Sequence, residues 1–536
     1  MDKTIYINGK IFTSDESNPF VKAMCVENGK ILWCGGDEKV IASFADEKID
    51  VVDLEGKCVI PGLVDSHMHP VTLAEFMAQI PCLPPETNSI EEMVEKIREV
   101  SDKSEEGQWI LGWGYDEGKF AEKRSPNRYD LDRGCKDKPV SIIRCCEHIR
   151  CVNSKALEMA GIDENALDPE GGEIERDEDG VPTGVLKETA RNLVLPFMPL
   201  ETEEDKINNL LALGKLLDSQ GIVAIADMGN FYEGDNLGIF EEAGRRGFNQ
   251  RVSVYYMWEF CSDKENFTVP AESLSPESKF HVGGLKLVAD GSVSGRTAWM
   301  HEPYLDGTPE EIGLCVYSED EMESAIKAAK RLGCQVSVHT MGGRAIDKVL
   351  DRIESEKKWT TSSTPHVRIE HVTEPTGEAL DRIKKLQVGV ATQPIFMYCE
   401  IESYIKNLEA ERIKKAYPVR TMMEKGIQVS LSTDAPATAW AIPSDPFSNI
   451  ESAVTRTAYD GTDLGKGEAI SVEDAIRLYT IEGARNMGLA GVGKIEEGYL
   501  GNFAILDRDI FEIPPEDIHN VKVLGTYIEG EKVYER

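Results

Sequence analysis

Long apolar runs are missing. No stretch approaches the ~20 consecutive apolar residues that a membrane-spanning helix needs, so no membrane partner is expected. Basic residues are also in short supply, with 59 Lys and Arg against 95 Asp and Glu and a net charge of -36. Such a surface repels nucleic acid and anionic lipid, which excludes both as expected partners. Much of the acidity sits in helix-like segments and in 163–179, where a solvated surface is the plain reading. The twelve cysteines form no Cys-x-x-Cys pair and no regular framework. Cys25, Cys58, Cys145, Cys151 and Cys334 lie in or beside apolar runs, where a thiol behaves as a small hydrophobe. All twelve are expected to be reduced. The segment 1–10 alternates like a strand and lacks a signal peptide's apolar core, which points to a cytoplasmic protein. Histidine is scarce too, nine in 536 residues, so where each one falls is informative.

What is present reads as an ordinary globular composition, 41% hydrophobic with no low-complexity tract, in a chain long enough for a large core. The first 57 residues read as short strands at 4–7, 10–13, 21–27, 30–34 and 49–53, with Asn8-Gly9 and Asn28-Gly29 as hairpin signals. The end of the chain has the same texture at 499–507, 521–528 and 529–534. Two strand-rich ends too small to fold alone are expected to combine into one small β-sandwich domain, 1–57 with 491–536. Between them, apolar strand candidates at 58–65, 222–227, 251–257, 284–289, 334–339, 366–371, 388–392 and 428–433 alternate with helical patterns. One such pattern, 318–333, carries a Ser cap, acids in its first turn and a closing Gly. The expected fold class is α/β, a (β/α)8 TIM-type barrel with its first strand in 58–70 and the remainder in 221–490. A doubly wound open sheet is the alternative, and eight parallel candidates fit a closed barrel better. Roughly 150 residues separate the first two barrel strands, far beyond an ordinary connection. The interval 71–220 is therefore expected to be a long inserted subdomain over the barrel mouth.

Catalytic residues of such a barrel sit at the C-terminal strand ends. The first candidate ends in His67-Met68-His69, whose imidazoles share a face because side chains alternate along a strand. The fourth carries Lys286 inside an apolar run, the fifth and sixth end in His339 and His371, and the eighth ends in Asp434. A His-x-His pair alone is a weak signal, and any one of these residues alone is more often a satisfied polar group at a strand terminus. Four of nine histidines at predicted strand ends is a stronger pattern. Imidazole and carboxylate suit zinc and related divalent ions, and Asp434 could also serve as a general base. Lys286 fits less easily, since an ammonium is repelled by a cation and costly to desolvate. It either pairs with Asp290 or Glu370, or carbon dioxide carbamylates its nitrogen to give an anion able to bridge two metals.

With these residues in place, the sequence resembles the amidohydrolase superfamily in the segments 59–69, 368–371 and 432–436, and again in 471–480 and 498–506. Asn502-Phe503 stands where that family usually has Ala-Asp. Within the superfamily the chain resembles the branch containing N-substituted formamide deformylases, in 112–117, 147–157, 182–188 and 290–298. Cys146-Glu147-His148 replaces a frequent Asp-Gly-His there. The resemblance implies that His67, His69 and Asp434 bind one divalent ion, that His339 and His371 bind a second, and that carbamylated Lys286 bridges them. One or two ions per chain, with zinc favoured, are expected. The implied reaction is hydrolysis of a C–N bond in an amide, N-substituted formamide or cyclic amide by metal-activated water, with Asp434 moving the proton.

His148, in the insertion, is expected to donate a hydrogen bond to the substrate or oxyanion, with a purely structural role as its equal. Trp113 and Tyr115 are weaker candidates for substrate packing, and Glu188 for polar positioning. Arg296 is assigned to a substrate carboxylate or to an acidic neighbour. The expected partner is a small-molecule substrate, and the family resemblance leans toward a homodimer. Deaminases, phosphotriesterases and lactonases use the same ligands. A catalytically silent metal-binding regulatory protein is the alternative of another class, opposed by the complete ligand set.

Overall fold

A computed structural model of the chain describes all residues except 1–2, 37–48, 146–147, 231, 233 and 361–362. Cys146 and Glu147 of the insertion motif therefore lie outside the described residues.

Eight parallel strands follow one another around a barrel: β1 (Leu63–Met68), β2 (Ile222–Asp227), β3 (Arg251–Met257), β4 (Phe280–Val288), β5 (Gln335–Thr340), β6 (Val367–His371), β7 (Gly389–Thr392) and β8 (Val429–Leu431). They read as near-continuous apolar runs because both faces are covered; every residue of β2 is buried. Helices with strong end signals return the chain between them. Glu319–Leu332 begins at Ser318, which accepts from the Glu321 amide, and ends on left-handed Gly333. The β8 to β1 seam is closed by bonds from the segments just past the strand ends. The Asp434 amide donates to the His67 carbonyl at 2.8 Å and the His69 amide to the Ala435 carbonyl at 2.8 Å. Below them the Asp65 carboxylate accepts from Thr433 Oγ1 at 2.6 Å. The seam thus ties together the two chain segments that carry the first and last candidate ligands.

The apolar run 58–65, read as one strand, is two. Cys58–Pro61 pairs with Lys10–Phe12 and Phe503–Leu506 in a terminal sheet, and β1 begins only at Leu63. The change of sheet occurs at Gly62, whose amide donates to the Asn502 carbonyl at 3.0 Å. Unbroken hydrophobicity gives no warning of such a switch, because both halves are buried. The small β domain has a four-stranded sheet of Lys30–Gly35, Ala23–Glu27, Lys3–Ile7 and Asp50–Asp53, and a six-stranded sheet drawn from both termini. Tyr6 of the first sheet packs edge-on against Phe503 and Tyr527 of the second, at 5.0 and 5.6 Å between ring centroids. Asn28 and Gly29 both have positive φ and make the expected hairpin turn. Asn8-Gly9 does not: only Asn8 is left-handed, and the chain crosses there from one sheet to the other.

Residues 71–209 and 436–443 form a second compact unit; residues 1–70, 210–435 and 444–536 form the first. The second unit has a mixed six-stranded sheet in the order Gly172–Arg176, Pro182–Glu188, Ile149–Val152, Val140–Arg144, Ile110–Tyr115, Ile80–Pro81. Its core packs Ile97 of the helix Ile90–Ser101 with Ile110, Tyr115, Phe120 and Ile142. No helix among the described residues is long and apolar enough to cross a membrane. No disulfide joins any of the eleven described cysteines.

Gly62 leaves no room for a side chain, since a Cβ there would lie 2.4 Å from Val223 Cγ1. Gly62→Ala is expected to destabilise the fold by about 1–3 kcal/mol through overpacking, read as a fall in the thermal unfolding midpoint. Val223→Ala in the same chain should recover part of the loss; an unchanged midpoint for Gly62→Ala contradicts this account of the switch.

Candidate metal centre

The ladder register levels the strand ends, pairing Val288 with His339 and Thr340 with His371. Side chains from β1, β5, β6 and the turn after β8 therefore meet at one mouth. One ligand atom each from His67, His69 and Asp434 lie within 4.8 Å of one another. Asp434 Oδ1 stands 3.2 Å from His67 Nε2 and 3.5 Å from His69 Nε2. The His371 ring lies 5.0 Å from that of His67 and 4.3 Å from that of His339, between centroids.

The hydrogen bonds at the ring nitrogens decide which atom of each imidazole carries the proton. His67 Nδ1–H donates to Glu370 Oε2 at 2.6 Å, and His69 Nδ1–H to the Gly229 carbonyl at 2.8 Å. His371 Nδ1–H donates to Gln393 Oε1 at 2.8 Å. His339 instead donates from Nε2 to the Gly291 carbonyl at 2.9 Å. An acceptor on one nitrogen leaves the other as a lone pair, which is how metal-binding imidazoles are oriented. His371 Nε2 and Asp434 Oδ1 are buried with no hydrogen-bond partner, an unfavourable state that a cation would relieve. Burial holds His69 and His339 neutral by bringing each to about 4, and His371 well below its ordinary value. Burial alone would raise the Asp434 carboxyl, but the facing imidazoles, His67 foremost, hold it down. Neutral nitrogens around an ionised carboxylate suit a divalent cation.

Backbone conformation aims two of these groups. Arg368 and Glu370 face the barrel interior from β6, so alternation would send His371 outward. His371 instead has φ +74° and Val372 φ +52°, and the twist swings the imidazole inward. Asp434 is left-handed as well, at φ +55°. Left-handed conformations at non-glycine residues are costly and concentrate at functional sites.

Lys286 lies on β4, 3% exposed, and makes no ion pair with a carboxylate among the described residues. Neither expected structural partner takes it. Asp290 accepts three backbone amides instead, from Trp299, Met341 and Gly342, at 2.7 to 2.9 Å. Glu370 is held by Arg368 at 2.6 and 2.9 Å, by Ser337 Oγ at 2.6 Å and by His67. Burial pulls the lysine down to about 8, against the opposing pull of Glu370 and Asp434.

The remaining candidates are placed elsewhere. Arg296 follows β4 and donates to the Leu305 carbonyl at 3.0 Å while stacking on Tyr304; its guanidinium is engaged with neither acid nor mouth ligand in these contacts. In the second unit, Tyr115 is fully buried in the core and Trp113 stacks on Phe76 at 5.3 Å. His148 Nδ1 lies 3.0 Å from Glu188 Oε2, both side chains exposed. Sequence reasoning passed over Arg368, Gln393, Gly229 and Gly291, which orient the imidazoles. The only trace of them was charge inside the apolar run 367–371.

Comparison with known proteins agrees with this geometry. The model of the amidohydrolase family matches residues 50–534. The putative amidohydrolase YtcJ of Bacillus subtilis is 31% identical over the full length of both chains. The N-substituted formamide deformylase of Arthrobacter pascens is 29% identical, over 100% of this chain and 99% of its own. A solved structure described as an uncharacterized metal-dependent hydrolase from Pyrococcus horikoshii superposes with a TM-score of 0.74 and 27% identity, covering 96% of this chain and 99% of that one. The barrel, its ring of oriented imidazoles and these matches lead to one conclusion: the chain belongs to the amidohydrolase family, as a metal-dependent hydrolase.

Proposed function

We propose that the chain hydrolyses a C–N bond in an amide, N-substituted formamide or cyclic amide. The observation that carries this reading is the set of four imidazoles at one mouth, each with one ring nitrogen held by an oxygen acceptor. His67 and His69 through Nε2, with Asp434, would hold one divalent ion, and His339 and His371 a second. Zinc is the favoured metal on the chemistry of these donors. When bound, it supplies a Lewis acid that activates water and polarises the substrate carbonyl.

The chain's own groups carry the proton. Asp434 Oδ1 faces His67 and His69, which leaves Oδ2, 3.9 Å from His371 Nδ1, to accept the proton of the attacking water. The same oxygen returns it to the leaving nitrogen as the C–N bond breaks, so acid and amine products balance the water consumed. Lys286 is read as a carbamate. Its buried nitrogen lacks an acidic partner among the described residues, and the free amine adds carbon dioxide, forming an N–C bond and releasing one proton. The product is an anion where an ammonium would repel the metals. The substrate class rests on the likeness to the Arthrobacter deformylase. His148 is assigned a supporting role in turnover, with Glu188 setting its tautomer.

Purified protein is expected to carry one or two divalent ions per chain. Chelation should abolish hydrolysis across an amide and formamide panel, and zinc should restore it. Metal-free protein inert toward the whole panel would favour the silent regulatory alternative. Protein grown with ¹³C-bicarbonate should show a carbamate carbon resonance that Lys286→Met removes; its absence in the unaltered protein contradicts the bridging role. His148→Ala should lower kcat about 100-fold with metal content unchanged, the scale of losing one oxyanion donor. Unchanged kinetics would remove His148 from the reaction.

A further inference from the structure

A chain of buried hydrogen bonds runs down the barrel interior from His67, away from the mouth. His67 Nδ1 donates to Glu370, and Glu370 is gripped by the Arg368 guanidinium through Nε and Nη2. Arg368 Nη2 also donates to the Ser66 carbonyl at 2.6 Å, immediately before His67. Its third nitrogen, Nη1, donates to Tyr255 Oη at 3.3 Å, and the guanidinium lies 5.3 Å from the centre of the Tyr255 ring. Tyr255 Oη in turn donates to Gln335 Oε1 at 2.5 Å, and Gln335 Nε2 donates to the Pro365 carbonyl at 2.7 Å. Arg368, Glu370 and Tyr255 have no exposed surface, and Gln335 is 1% exposed. The path crosses β1, β6, β3 and β5 without leaving the barrel's inside.

Room for this path is built in. Gly284 on β4 pairs in register with both Tyr255 and Gln335, and a Cβ there would lie 2.9 Å from the Tyr255 ring. The polarity is also consistent along its length. Gln335 accepts the only phenolic proton, which turns a Tyr255 lone pair toward Arg368. Arg368 then presents its remaining donors to Glu370, and Glu370 keeps an acceptor for His67. Arg368 can only donate and the Glu370 carboxylate only accept, so the path holds both groups in place, and its last bond fixes which His67 nitrogen is a lone pair.

We propose that Tyr255 and Gln335 are positioning residues for the metal ligand His67, acting through Arg368 and Glu370 from the far side of the barrel interior. The proposal rests on the reading of His67 as a metal ligand. It predicts that metal affinity is set partly by residues that touch neither metal nor substrate. Removing the phenolic oxygen leaves Arg368 Nη1 without its acceptor and Gln335 Oε1 without its donor, loosening the grip on Glu370.

The test measures zinc dissociation constants of folded apo-protein by competition with a chromophoric chelator, beside the apo thermal midpoint. Tyr255→Phe is expected to raise the zinc Kd about tenfold, the lower end for losing an outer-shell partner. Gln335→Leu should raise it in the same direction, and carries the test alone should Tyr255→Phe fail to fold. In a Glu370→Gln background the Tyr255→Phe effect should vanish, because the route to His67 is already cut. A lower midpoint with unchanged Kd would make Tyr255 a packing residue and overturn the proposal. So would a Tyr255→Phe effect of full size in the Glu370→Gln background. Unaltered protein that binds no zinc would instead overturn the metal reading itself, and that outcome is distinct from both.

Discussion

Arg368 and Glu370 face into the barrel from one strand, two residues apart and fully buried, and the ordered mouth depends on their pairing. Burial alone would push the Glu370 carboxyl toward neutrality; Arg368, and after it His67, hold it well below its ordinary value. An ionised Glu370 can only accept, so His67 must present its proton there and its lone pair to the mouth. A neutral Glu370 would not enforce that tautomer. Buried pairs are weak sources of net stability, because desolvation offsets most of the attraction. Here the return is orientation: one charge pair selects one nitrogen of one imidazole.

The same economy recurs around the ring. His69 and His339 are oriented by backbone carbonyls of Gly229 and Gly291, and His371 by the neutral amide of Gln393. Gln393 Nε2 donates to Ser432 Oγ, which settles the direction of the amide and leaves its oxygen for the imidazole. The short bond that orients His67 goes to a carboxylate, while those that orient His69, His339 and His371 go to neutral oxygens. The ionisable groups around the rings include Asp434, Lys286, Asp290 at 3.6 Å from His339 Nε2, and the balanced pair below. A divalent cation meets mostly neutral nitrogen there, and Lys286 is the group whose charge is out of place.

The barrel was legible in the sequence because its strands are apolar on both faces and its helices carry strong end signals, as at Ser318 and Gly333. The ligand types were legible because polar residues at the ends of apolar runs stand out. What orients them was not. Gly229 and Gly291 act through carbonyls that every residue has, and Gln393 follows a strand with nothing to mark it. His371 is instructive: strand alternation with Arg368 and Glu370 would point it outward, and only a left-handed backbone, invisible in the residue type, turns it in. Gly62 and Asn8-Gly9 failed for a related reason. Both mark places where the chain changes sheet, and local pattern does not say which sheet a buried strand joins.

The account stands on imidazole nitrogens and one carboxylate as the metal donors, with no thiolate among them. X-ray absorption at the zinc edge of the zinc-loaded protein tests this most directly. The account predicts nitrogen and oxygen neighbours near 2.0–2.2 Å with the outer-shell scattering pattern of coordinated imidazole. A sulfur neighbour near 2.3 Å, or zinc without an imidazole signature, would contradict it.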